Sequence, residues 1–185
     1  MKLLLALSIT LVSSCAALSP APSSPPPENS TQAGHAPTPF SADDLRRSFP
    51  DGTQLRFELG SIDAEPQVQI LSFSNPSDAG VEVQVELVDP DGTVVVSSPV
   101  ETAMWEELQS HASFPEADVT LTREPHETRL GVAECWHYAV RSVQNERTLV
   151  THYWFDIERP GPPVDFTMEF DGVLSYRMEM VSDTR

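Results

Sequence analysis

Cysteine and histidine recur at strand spacing between residues 135 and 152, where their side chains could hold a soft metal ion. Cys135 and His137 are two apart, which places both on one face of an extended strand. Pairing residues 134–142 with 149–157 as a hairpin sets His152 on the same face of the neighbouring strand. One thiolate and two imidazoles suit zinc or copper. A tight ligand pair such as Cys-x-x-Cys or His-x-x-x-His is missing, so no metal is expected. The reading adopted is that His137 and His152 are half-exposed strand residues packing on Trp154, with Cys135 a small buried filler. A Cys135–His137 nucleophilic pair would need an oxyanion hole or a helix N-terminus to activate a thiolate, and neither is in evidence. There is no Gly-x-Ser-x-Gly elbow, phosphate loop or EF-hand loop. Glu106-Glu107 and Asp43-Asp44 fit a solvated surface in so acidic a chain, and His111 and His126 have no evident partner. The chain is expected to be no enzyme and to need no cofactor.

The elements that position these residues are mostly strands. Leu55, Phe57 and Leu59 alternate with Gln54, Arg56 and Glu58, and Val81, Val83, Val85 and Leu87 alternate with Glu82, Gln84 and Glu86. In the central hairpin Trp136, Tyr138 and Val140 share the core face with Leu149, Tyr153, Phe155 and Ile157. Cys135, His137, Ala139 and Arg141 share the other face with Val150, His152, Trp154 and Asp156. Pro-Asp-Gly-Thr occurs at Pro50 and again at Pro90, with proline where φ is near −65° and glycine where φ is positive. Two short helices are expected, one over 42–49 capped by Ser41 and one over 103–111 capped by Thr102. Residues 159–163, Arg-Pro-Gly-Pro-Pro, can join neither helix nor central ladder and read as a rigid crossing.

The last hairpin is registered by parity. Val164, Phe166, Met168 and Phe170 form one face of its first strand, and Leu174, Tyr176, Met178 and Met180 one face of its second. A two-residue Asp171-Gly172 loop would mix these faces. A three-residue loop of Phe170, Asp171 and Gly172 pairs Met168 with Leu174 and Phe166 with Tyr176, and is the expectation. The fold class is therefore mostly β: a single curved antiparallel sheet, a half-barrel or open barrel of seven to nine strands, with one or two short helices.

The N-terminus specifies location. Met1-Lys2 carries a positive charge, Leu3 to Val12 is an apolar run too short to span a bilayer, and Val12-Ser13-Ser14-Cys15 follows. Residues 1–14 read as a signal peptide, and the four residues ending in Cys15 resemble the bacterial lipobox. That resemblance implies a diacylated Cys15 (palmitate-type chains) as the new N-terminus and as the link to the membrane. Ala16 does not match the inner-membrane retention residue of such proteins, which implies the outer membrane of the bacterial cell envelope. Residues 15–39 form the lipidated cysteine and a Pro/Ser-rich disordered tether, reaching at most about 70 Å. Residues 40–185 are one globular β-rich domain.

Beyond the signal segment the chain has ten arginines and no lysine against 28 acidic residues, a net charge of −18. That excludes nucleic acid and anionic membrane surfaces as partners, since both require a basic footprint. Assigning Cys15 to lipid leaves Cys135 with no intramolecular partner, and a lone thiol in an oxidising compartment is tolerated when buried.

The half from Trp105 onward carries Trp105-Glu106-Glu107-Leu108 with Phe114-Pro115. It continues with residues 131–138 (Gly-Val-Ala-Glu-Cys-Trp-His-Tyr), then Tyr153-Trp154-Phe155 and Pro160-Gly161-Pro162-Pro163-Val164. These pieces resemble bacterial lipoproteins of unknown function and the curved half-barrel of the lipoprotein-localisation factors, the LolA/LolB-like group. The resemblance implies a sheet whose concave face holds an acyl chain or another apolar ligand, and it carries no catalytic residue. The large side chains of the late strands, Trp154, Phe166, Met168, Tyr176 and Met178, are the expected ligand-facing set, an adaptable apolar lining. The expected function is a non-enzymatic, lipid-anchored envelope lipoprotein that binds an apolar ligand. The alternative is an acidic interaction or inhibitor module that docks on an envelope protein from its long tether.

Cys15→Ser is expected to release the protein from the membrane fraction and to remove the diacyl mass increment. Cys135→Ser is expected to leave membrane association unchanged and to lower stability by about 1–2 kcal/mol. Fractionation with intact mass reads both, and membrane-bound Cys15→Ser would refute the anchor.

Overall fold

The computed structural model describes residue 29 and residues 32–61 and 64–185. Cys15, the signal segment and most of the tether lie outside the described residues. A single antiparallel sheet dominates the described part. In chain order its strands are β1 (Gln54–Ser61), β2 (Gln67–Ser74), β3 (Gly80–Val88), β4 (Val94–Ser97), β5 (Glu101–Met104), β6 (Val119–Thr128), β7 (Gly131–Gln144), β8 (Arg147–Asp156), β9 (Asp165–Phe170) and β10 (Val173–Asp183). Their spatial order is β4-β3-β2-β1-β10-β9-β8-β7-β6, with β5 beside β4 on the outer edge of β3. Pairing of β1 with β10 joins the first and last strands in the middle, so the sheet is open, with β4/β5 at one edge and β6 at the other. The expected architecture is observed, with ten strands in place of seven to nine.

Period two decides the faces. One face gathers Leu55, Phe57, Leu71, Phe73, Val81, Tyr138, Phe155 and Met180, most of them buried, and carries both helices. The opposite face carries Glu58, Glu82, Glu86, His137, His152, Asp165, Arg177 and Glu179. The central hairpin has the expected register, with Cys135 opposite Asp156, His137 opposite Trp154 and Tyr138 opposite Tyr153.

Helix α1 (Ala42–Ser48) starts where Ser41 predicts. The Ser41 hydroxyl accepts from the Asp44 amide at 3.1 Å, and the Asp44 carboxylate accepts from the Ser41 amide at 3.0 Å. Helix α2 (Trp105–Ser110) departs from expectation: Thr102 lies in β5 opposite Glu82, and the helix begins three residues later, after Met104. The β5 ladder on β3 outcompetes the hydroxyl cap, because it satisfies backbone groups over four residues and not one. Trp105 is 1% exposed and donates its indole N–H to the Ser77 carbonyl at 2.9 Å.

The last hairpin also differs. Its loop has two residues, Asp171 (φ 52°) and Gly172 (φ 79°), with Phe170 opposite Val173. The parity problem is solved by a bulge between Leu174 and Tyr176, after which Tyr176 faces Met168 and Met178 faces Phe166. The extra residue demanded by the apolar pattern thus sits in the strand. Asp171 favours the tight turn, because its carboxylate accepts from Arg147 at 2.9 Å and from the Thr148 amide at 3.0 Å.

The fold also takes in residues ahead of Phe40, where the domain was expected to begin. Ala36 and Thr38 are buried, the Ala36 amide donates to the Phe114 carbonyl at 2.9 Å, and the Tyr138 hydroxyl donates to the Pro37 carbonyl at 2.7 Å. The described end of the expected tether is a packed part of the domain.

Gly80 lies close against β5: a Cβ there would collide with the Ala103 carbonyl oxygen. Gly80→Ala is expected to push β5 off β3 and to cost about 2 kcal/mol, read by chemical denaturation. An unchanged midpoint would refute the contact.

Candidate functional site

Two constructions on this scaffold could act chemically, one on each face of the sheet. On the inner face, α1 and α2 cover part of the sheet and leave a cavity of about 530 Å³. Helix α1 contributes Leu45, with Phe49 just beyond its end; α2 contributes Leu108, with His111 and Ala112 following. The 159–163 crossing closes one side with Gly161, Pro162 and Pro163. The rigid prolines hold that wall without side-chain motion, and Gly161 allows the approach of Phe49, whose ring would stand 3.1 Å from a Cβ.

The floor is aromatic. Phe114 and Tyr153 have ring centroids 4.9 Å apart, Tyr153 meets Phe166 edge-on at 5.0 Å, and Phe166 meets Tyr176 edge-on at 5.9 Å. These rings cross β8, β9 and β10 in one continuous row. Burial pushes the phenols of Tyr153 and Tyr176 up from their ordinary value, so both remain hydroxyl donors near neutral pH. Neither hydroxyl bonds to any described residue. A second cleft of about 750 Å³ shares Tyr176 but is walled by turn residues, including Glu65, Asp89 and Asp91.

Of the expected ligand-facing residues, Phe166, Tyr176 and Met178 line the cavity. Met168 lies on the same face, opposite Thr151 and Tyr176, outside the cavity lining. Trp154 is on the opposite face: it stands across from His137, while its chain neighbours Tyr153 and Phe155 point inward. Alternation along β8 allows no other outcome. Leu45, Phe49, Leu71, Phe73 and Val83 come from the first half of the chain. Alternation marks them as core, but only the β1–β10 pairing brings their half of the sheet to the late strands.

On the outer face, Trp154 lies in a stack of imidazoles. His126 is 4.4 Å from it at an interplanar angle of 10°, His137 is 4.5 Å away at 8°, and His152 is 5.5 Å away at 16°. The carboxylate of Glu124 accepts from the Trp154 indole at 3.0 Å and from His137 Nδ1 at 3.1 Å. With Nδ1 of His137 as donor, its Nε2 accepts from His152 Nδ1 at 2.8 Å. Cys135 lies on the same strand, fully buried, with its thiol pushed up to about 12 by burial and then by Asp156 and other carboxylates. Such a thiol is inert as a nucleophile. Among the described residues no group of three His, Cys, Asp or Glu side chains is placed to hold a metal ion.

Beside this stack, Asp165 is 2% exposed and accepts from His126 at 2.8 Å and from Arg177 at 3.0 and 2.8 Å. Burial alone would raise its pKa, and the bonds from His126 and Arg177 override that and hold the carboxyl below its ordinary value. Arg129, in the β6–β7 turn, bonds Glu58 of β1 at 2.7 and 2.8 Å, and its amide donates to Glu179 at 3.0 Å. The β6–β7 hairpin tip is thereby tied across the outer face of β1 and β10.

No family model matches the chain, and no curated protein matches it. Among solved structures, the fold is similar to part of MucB, crystallised in complex with MucA(peri), with a TM-score of 0.51 and 13% identity over 77% of this chain and 55% of that one. A protein from Parabacteroides distasonis described as a lipoprotein aligns over 80% of this chain and 98% of its own, at 12% identity and a TM-score of 0.47. The chain thus spans about half the length of MucB, and at this identity the shared property is the fold.

Desolvation depresses the pKa of His137, ahead of the opposing pull of Glu124, and the neighbouring His152 and His126 add to the depression. Its unfolded value is near 6.5. A histidine with a depressed folded value supports the fold above about pH 6.5 and loses that support as pH falls toward the folded value. Asp165 acts in a separate, lower window, since a depressed carboxyl is lost only below about pH 4. Thermal melting is therefore expected to fall from pH 7 to 5.5 in the wild type and to fall less steeply in His137→Gln. Parallel slopes would refute the assignment.

Proposed function

We propose that this chain is a lipid-anchored lipoprotein of the bacterial cell envelope whose β domain binds an apolar ligand in the inner-face cavity, without catalysis. The observation that carries the reading is the cavity itself. Its volume falls in the range of small-molecule sites, its walls are aliphatic and aromatic, and aromatic rings from three adjacent strands line it without a gap. The lipobox-like Val12–Cys15 segment supports the anchor, and Ala16 supports the outer membrane as its destination. The resemblance of the later half to lipoprotein-localisation factors of the LolA/LolB-like group is consistent with an acyl chain as occupant.

A second reading, a docking module for an envelope protein, is favoured by β4. Val94, Val95 and Val96 are each half exposed on a terminal strand, a template for strand addition. The MucB structure, similar in fold, is that of a complex with MucA(peri).

The test uses the mature chain, residues 15–185, carrying Cys15→Ser so that no covalent acyl chain competes. N-phenyl-1-naphthylamine is expected to gain fluorescence on binding, and Ala112→Trp, which fills the cavity, to reduce affinity at least about tenfold at unchanged circular dichroism. A wild-type chain that shows an apo mass after gentle purification and leaves the dye dark would overturn ligand binding in favour of docking.

A further inference from the structure

We infer that the cavity selects uncharged amphiphiles, molecules with an apolar body and one hydrogen-bonding oxygen that the hydroxyls of Tyr153 and Tyr176 meet, and rejects ions of either sign. The inference rests on the ligand-binding reading above and goes further, to the chemistry of the ligand's head.

The first support is the charge of the walls. No Asp, Glu, Lys or Arg is among the described residues lining the cavity. An anionic head entering it would give up its water and find no Lys or Arg, only the His111 imidazole at the wall, a loss far larger than one bond to a phenol restores. The arginines that might have served are committed elsewhere: Arg177 to Asp165, Arg129 to Glu58, Arg147 to Asp171, and Arg185 to Asp183 and the Pro160 carbonyl. The net charge of −18 beyond the signal segment further disfavours an approaching anion. A cation would be drawn to the domain but would find no carboxylate inside. Its head would stay at the mouth in water.

The second support is the pair of phenols. Tyr153 and Tyr176 flank Phe166 on the cavity floor, and their hydroxyls have no partner among the described residues. The contrast within the same core is Tyr138, whose hydroxyl is satisfied by the Pro37 carbonyl at 2.7 Å. Partly buried hydroxyls without protein partners are held by water or by a ligand, and a ligand oxygen that replaces the water loses nothing. Phenylalanine would serve equally well at both positions if the ligand were a pure hydrocarbon. Because the phenols remain protonated at physiological pH, they offer donors, which an alcohol, ester or ketone oxygen accepts.

The experiment displaces N-phenyl-1-naphthylamine from the mature Cys15→Ser chain at about pH 8 with three ligands that share a twelve-carbon tail: dodecanol, dodecanoate and dodecyltrimethylammonium. Dodecanol is expected to bind at least about tenfold more tightly than either ion. In the Tyr153→Phe/Tyr176→Phe variant, the affinity for dodecanol is expected to fall at least about tenfold further than the affinity for the dye, the loss of two ordinary hydrogen bonds, with circular dichroism checking that the variant is folded. Dodecanoate or dodecyltrimethylammonium binding as tightly as dodecanol, or dodecanol unaffected in the double variant, overturns the inference while dye binding keeps the ligand-binding reading intact. Absence of dye binding to the wild type overturns that reading, and the inference with it.

Discussion

Ten strands in one sheet present a broad apolar face, and among the described residues only two α-helices, of seven and six residues, cover it. That shortage governs the rest of the structure. A sheet that cannot borrow cover from helices must curl on itself, and its twist supplies the curvature. Phe49 is the point where the available cover converges. Its ring lies 4.4 Å from Phe73 and 6.3 Å from Trp105, and the guanidinium of Arg185 sits over it at 5.4 Å. Residues 35–39 add a further layer through Ala36, Thr38 and the Tyr138–Pro37 bond. What this cover leaves open, between the helices and the proline crossing, is the cavity. That cavity is the unfilled remainder of an incomplete core.

The outer face meets a different requirement. It must stay polar, yet Asp165, Glu179 and Asp156 are buried on it because the β6–β7 tip folds across the sheet. Buried carboxylates are tolerated only with donors in place, and Asp165 has three such bonds. The Trp154 indole between two imidazoles belongs to the same cover: it bridges β6 and β8 over the strand that holds Cys135. The histidines that on spacing alone invite a metal are therefore occupied with one another, with Glu124 and with a tryptophan face. Their contacts are ring stacking and hydrogen bonding.

The two faces divide the work. On the outer face Arg177 and Arg129 are committed to Asp165, Glu58 and Glu179, which ties the β6–β7 tip and the middle of the sheet together. The inner face keeps charge out of its walls and leaves two phenols unsatisfied. At the sheet edges the contrast continues. β6 carries Pro125 and alternating charged residues, which blunt strand addition, whereas β4 presents three half-exposed valines.

Much of this was legible in the residues because period-two alternation is a local property that burial of one face enforces. Alternation sufficed for the fold class, the two faces of the Cys135 hairpin and the need for one extra residue in the last hairpin, and cap chemistry sufficed for the start of α1 at Ser41. It could not say whether that residue sits in the loop or in a bulge, because both restore the faces and only the Asp171 bonds to Arg147 and Thr148 favour the tight turn. Nor could it set Phe73 and Phe49 around one cavity with Tyr176, since that depends on β1 pairing with β10 over a separation of more than a hundred residues. The packing of Ala36 and Thr38 and the start of α2 at Trp105 were decided by tertiary structure, whereas alternation along β8 already turns Trp154 away from the cavity. In both cases a long-range partner (Phe114, the β3 edge) contributes more than the local preference it overrides. Local pattern determines which way a side chain points, and only the closed set of strand pairings determines what it meets there.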